Sequence, residues 1–173
     1  MKDSKANLPV YFWTAASAGC MLVIFLFSMQ PAEQSSQVSG SVAQSTVGTV
    51  VGWFQPEGQD VPAAFMGIVE TVIRKLAHLG IYMTLGFCVV NAVRGIVDRN
   101  AYMISLIWCS LYAASDEIHQ YYVPGRAGMW QDWLLDTVGA LLGIAVVAMY
   151  VKRKKRSRTP QVILINKRNE QKL

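Results

Sequence analysis

The stretch "SDEIHQYYVPGR" (115–126) sets Asp116, Glu117, His119, Gln120 and Arg126 close together at the end of a strongly apolar run. Two other stretches have the same character. In "RKLAHLGIYM", Arg74, His78 and Tyr82 follow at i, i+4 and i+8 with Lys75 flanking, one stripe about two turns long if the segment is helical. In "QDWLLDTVGALLG", Asp132, Asp136, Gly139 and Gly143 share one helix face. Carboxylates beside imidazoles can act as general acid and base or hold a divalent metal, and guanidinium and ammonium groups beside them can take a phosphate or carboxylate from a ligand. Ser115 adjoins the group but has no defined base, so no nucleophile is assigned.

The elements that carry these residues are read from composition. Of 173 residues, 53% are hydrophobic and 16% charged, and the charges avoid four apolar stretches at about 10–29, 76–93, 101–119 and 134–151. Each approaches the ~20 residues needed to cross ~30 Å of hydrocarbon. The expected fold is all-α: an integral membrane four-helix bundle over residues 10–151. A cytoplasmic N-terminus (1–9), a long external loop between helices 1 and 2 (30–75) and a basic cytoplasmic tail (152–173) complete it. The first stretch is too long, and lacks the small-x-small site, for a cleaved signal peptide, and reads as an uncleaved anchor. Cys20, Cys88 and Cys109 lie inside the apolar stretches without disulfide or zinc spacing, and read as packing residues.

Orientation follows from basic residues. With both termini inside, only Arg74, Lys75 and Arg126 of the 16 Lys and Arg fall on the outer side. The run from Lys152 to Arg158 then anchors topology and attracts anionic lipid; nucleic acid is not an expected partner. The three basic residues on the unfavoured side all sit beside the acidic ones. Asp136 is three residues, ~5 Å, past Trp133, and Trp130, Trp133, Tyr121 and Tyr122 read as interfacial belt residues. A carboxylate at that depth must face protein and a cationic partner, and His78, Arg74 and Arg126 are available. Gly139 and Gly143 form a small-xxx-small ridge that lets the helices approach. "VPGR" puts Pro124 and Gly125 at the centre of a type II turn that fixes Arg126.

In the outer segment, Val38, Val42, Val50, Trp53 and Phe54 suit either the apolar side of a surface helix or a mobile linker. "QPEGQD" (55–60) reads as a turn. A helix is expected to start at Pro62, with Glu70 and Arg74 as an i, i+4 ion pair, and to run on into the second span.

"RKLAHLGIY", "DEIHQYYVPGR" and "DWLLDTVGALLGI", in this order and together with "FSMQPAEQSS", resemble the VanZ-like membrane proteins over about residues 25–144. Members of that family usually carry an aromatic residue or a Phe-Glu pair after the histidine of the second span, where this chain has Leu79 and Gly80. The resemblance implies four spans in a bacterial plasma membrane and a link to resistance to the glycopeptide teicoplanin.

Three functions fit these residues. One is a ligand site at the outer leaflet, where Arg74, Lys75 and Arg126 engage an anionic membrane lipid, a lipid-linked cell-wall intermediate or a lipophilic glycopeptide. The second is a membrane enzyme of lipid-headgroup chemistry built on Asp116, Glu117 or Asp136 with His78 or His119, with a divalent metal as an option. The third is a salt-bridged scaffold. No cofactor is assigned, and an interfacial hydrogen bond is the plainer role for His119.

Overall fold

A computed structural model of the chain describes residues 8–54, 62–97 and 99–170. Five helices follow one another: α1 (Leu8–Ser28), α2 (Ala32–Phe54), α3 (Ala63–Ile96), α4 (Ala101–Tyr121) and α5 (Trp130–Glu170). No strand occurs among the described residues. The turn expected at 55–60, the residues around Lys2 and Lys5, and the side chains of Val50, Trp53 and Phe54 lie outside what is described.

α3 is the central rod. Its 34 residues span about 51 Å at ~1.5 Å per residue, so it serves both as a span and as the outer support on which α2 rests. Pro62 precedes its first helical residue, and the amides of Phe65 and Met66 donate to the Pro62 carbonyl, which is the start expected from sequence. α5 packs on α3 with almost no side chain between them. A methyl group at Gly139 would stand 2.6 Å from the Leu79 carbonyl oxygen, and Gly143 lies against the backbone of Met83 and Phe87 in the same way. Gly86 on α3 returns the contact against Ala140. The small-residue ridge therefore packs against the helix that carries His78.

The described residues of the expected loop 30–75 are not a loop. Most of them are helix: α2 and the first turns of α3. α2 is rich in Ser, Thr and Gly, which form helices weakly, and its hydroxyls are satisfied by the helix itself. Ser39, Ser45, Thr46 and Thr49 each donate to the carbonyl four residues earlier, at 2.7–2.9 Å. Ser39, Ala43 and Val47 are buried. Val38 and Val42 are exposed on the neighbouring face, where they line a cleft described below.

Three helical segments are long and apolar enough to cross a membrane: Pro9–Ser28, Ala63–Ile96 and Trp130–Lys154. The expected fourth span, 101–119, forms helix α4 but is not among them, because Ser105, Asp116, Glu117 and Gln120 dilute its hydropathy. Those four residues are buried, whereas Ile104, Ile107, Trp108, Leu111 and Ile118 are exposed. α4 is thus polar inside and apolar outside, the reverse of a surface helix in water.

Candidate functional site

The site forms where the C-terminal end of α4 and the N-terminal end of α5 meet the middle of α3, and the α4–α5 turn folds over them. The turn is as the sequence implies: the Arg126 amide donates to the Val123 carbonyl at 3.1 Å, and Gly125 has φ 75°, the left-handed value required at the third position of a type II turn. The Pro124 carbonyl accepts from the Ala32 amide at 3.3 Å, so the start of α2 is tied to the same turn. Glu117 accepts from the Met129 amide at 2.8 Å and fixes the far side of the loop.

Gln120 is the hub. Buried at the end of α4, it donates through Nε2 to Asp116 Oδ2 at 3.0 Å and to Ser28 Oγ at 3.2 Å. Its Oε1 accepts from Arg126 Nη1 at 3.1 Å, and Arg126 Nη2 also donates to the Phe27 carbonyl at 3.3 Å. Arg126 is therefore held, but by neutral oxygens. Burial, and next the charge of Arg74, lower its affinity for a proton below that of a free guanidinium. Arg74 makes no ion pair among the described residues.

Deeper in, Asp136 is completely buried, and His78 Nδ1 stands 3.5 Å from its Oδ1. That separation brings the two side chains together without a hydrogen bond, and both carboxylate oxygens and His78 Nδ1 are left unpartnered. Tyr82, one turn further along α3, is fully buried with its hydroxyl also unpartnered. Lys75 pairs with Asp132 across α3 and α5 in a partly exposed bridge.

Two cavities meet here. One, of about 210 Å³, is polar and is lined by Thr71, Arg74, Lys75, His78, Gln120, Arg126 and Asp132 among others. The other, of about 370 Å³, is an apolar cleft between α1, α2 and α3, lined by Ile24, Phe27, Val38, Val42, Ile73 and Ile81. Arg74, His78 and Arg126 line both.

Arg74, Lys75, His78, Gln120, Arg126 and Asp132 thus converge on the polar cavity, with Asp116 and Asp136 just behind. Glu117 instead braces the loop. His119 turns away to lie on the Phe25 ring at 5.1 Å, with Nε2 unpartnered. Ser115 is exposed and donates to the Tyr112 carbonyl at 2.7 Å, so it faces away from the cluster it adjoins in sequence. The expected Glu70–Arg74 pair does not form; Glu70 instead stands 3.3 Å from the Ser39 hydroxyl of α2, whose single proton is shared with the Ser35 carbonyl at 2.7 Å. That frees the Arg74 guanidinium for the cavity. Ser28 was not foreseen as a site residue; its only sequence signal is its place at the end of the first apolar run.

Apolar helices of spanning length that enclose buried polar and charged side chains are the features of an α-helical membrane protein. The chain belongs to the VanZ/LLP1 family, whose model matches residues 13–151. No curated protein and no solved structure gives a significant match to this chain.

Proposed function

We propose that this protein binds an amphiphile with an anionic head, an anionic membrane lipid in the first instance. The head sits in the polar cavity against Arg74 and Arg126, and an apolar chain lies in the cleft between α1, α2 and α3. The observation that supports this reading best is the position of the two guanidiniums. They line both cavities, they are close enough to repel each other, and neither forms an ion pair with a carboxylate among the described residues, the more distant charges of Asp116 and Glu117 offsetting only part of the repulsion. Two like charges held together in a half-buried place are costly unless an anion joins them, and a phosphate takes two guanidinium forks well. The cleft volume falls in the ~300–1,000 Å³ range of small-molecule sites.

α4 crosses the membrane as the fourth span in this reading, since its exposed side is apolar and its polar side faces the bundle. The excess of basic residues on one side supports a topology with both termini cytoplasmic and the site at the outer leaflet, in this reading that of a bacterial plasma membrane. A lipid-linked cell-wall intermediate and a lipophilic glycopeptide such as teicoplanin share the required chemistry, and engaging either would connect the site to glycopeptide resistance.

The test is native mass spectrometry of detergent-released protein titrated with phosphatidylglycerol or phosphatidylcholine. Hydrogen bonds to charged groups are worth roughly 1.5–3 kcal/mol each. The Arg74→Ala/Arg126→Ala protein should therefore lose its preference for the anionic lipid while keeping its fold. An unchanged preference would remove the proposal.

A further inference from the structure

We infer that His78, Asp116 and Asp136 form a binding site for one divalent transition-metal ion. The three come from three different helices, α3, α4 and α5, and each offers a donor atom such that all three lie within 4.8 Å of one another. An ion about 2.0–2.2 Å from each donor sets tetrahedral donors ~3.3–3.6 Å apart; His78 Nδ1 and Asp136 Oδ1 already stand 3.5 Å apart, and Asp116, within 4.8 Å of both, closes in by roughly 1 Å when the ion binds.

The polar accounting around Asp136 points to a ligand independently of the clustering. This carboxylate has no solvent exposure, and neither oxygen has a hydrogen-bond donor. A buried carboxylate left in that condition is strongly unfavourable. No lysine or arginine forms an ion pair with it among the described residues: Lys75 is paired with Asp132, Arg126 is directed at Gln120 and the Phe27 carbonyl, and Arg74 makes no ion pair. His78 faces Asp136 without a hydrogen bond. Tyr82, fully buried and near enough to feel the charges of both Asp116 and Asp136, also has an unpartnered hydroxyl. Unpartnered atoms of His78 and Asp136 thus face each other, with a carboxylate oxygen of Asp116 within 4.8 Å of both. Asp116 has the support a ligand needs: Gln120 holds Oδ2 at 3.0 Å, as outer partners orient ligating carboxylates.

The donor set selects the ion. One imidazole with two carboxylates suits Zn²⁺ or Mn²⁺ better than Mg²⁺, which keeps several waters and prefers an all-oxygen shell. Two carboxylates balance the charge of the ion, so the filled site is neutral when His78 is neutral.

The site stands apart from the lipid reading, because Arg74 and Arg126 are not ligands and the cation is measured on delipidated protein. Full-length protein is stripped with EDTA in detergent and titrated with ZnCl₂, MnCl₂ and MgCl₂ by calorimetry, with Mn²⁺ also followed by electron paramagnetic resonance. One equivalent of Zn²⁺ or Mn²⁺ should bind in preference to Mg²⁺ and raise the unfolding temperature. Loss of an outer partner alone costs ~10–100-fold in metal affinity, so Asp136→Asn and His78→Gln should each weaken binding about 100-fold or more. Absence of stoichiometric binding, or undiminished binding in both variants, overturns the inference. Should either variant fail to fold, X-ray absorption of the Zn²⁺-loaded wild type decides. An imidazole nitrogen with carboxylate oxygens supports the site, and a shell containing cysteine sulfur, or oxygen alone, overturns it.

Discussion

Gln120→Met tests the hydrogen-bonded hub directly. The replacement keeps the unbranched shape and approximate volume of the side chain while removing three hydrogen bonds: to Asp116 at 3.0 Å, to Ser28 at 3.2 Å and from Arg126 at 3.1 Å. In a membrane protein such a bond is worth ~0.6 kcal/mol on average and ~1.7 at most. The three together then come to about 2–5 kcal/mol, with the upper end favoured because two of the partners, Asp116 and Arg126, are charged and Asp116 loses its only side-chain hydrogen bond among the described residues. Apolar burial gives little back, since the unfolded reference in a bilayer is already in hydrocarbon. At 1.4 kcal/mol per decade, even the lower figure reduces the folded-to-unfolded ratio more than about tenfold. Reversible unfolding in mixed micelles, followed by circular dichroism at increasing dodecyl sulfate fraction, measures it. A loss below about 0.5 kcal/mol would refute the claim that Gln120 joins α1, α4 and the turn.

Other perturbations separate strong contacts from weak ones. Gly139→Val should destabilise the α3–α5 pair by about 1–3 kcal/mol or more, because its first methyl would stand 2.6 Å from a backbone carbonyl; the same unfolding assay reads it. The partly exposed Lys75–Asp132 bridge should show a coupling below about 1 kcal/mol in a double-mutant cycle with Lys75→Met and Asp132→Asn. Single cysteines at Ser41 and Ser157 in a background without the native cysteines should label from opposite sides of the membrane, Ser41→Cys from outside; external labelling at 157 would invert the topology.

The parts of the site visible in the sequence are those where hydrocarbon leaves a charge few options. An Asp136 below the Trp belt demands a cationic partner, the 3.6-residue repeat puts Arg74, His78 and Tyr82 on one stripe, and the glycine ridge brings the two helices together, so the His78–Asp136 approach follows. The Pro-Gly turn is as legible, since its geometry is local. What was not legible depends on α2. The composition leaves a surface helix and a mobile linker equally open, and nothing local shows that hydroxyls bonding back to their own helix, with packing on α3, sustain 23 residues of helix. Once α2 is there, Glu70 finds Ser39 instead of Arg74, and the apolar cleft acquires its second wall. His119 was misplaced for a related reason. It is one residue from Gln120, about 100° around the helix, and an aromatic contact with Phe25 of α1 outweighs approach to the acidic group.

The most direct measurement is a structure of the protein transferred to nanodiscs with its native lipid, without delipidating detergent. Arg74 and Arg126 should both be within hydrogen-bond distance of one anionic headgroup, with an acyl chain running between Val38, Val42 and Ile81. A headgroup bound elsewhere, with the two arginines turned to carboxylates of their own chain, would contradict the lipid-binding function.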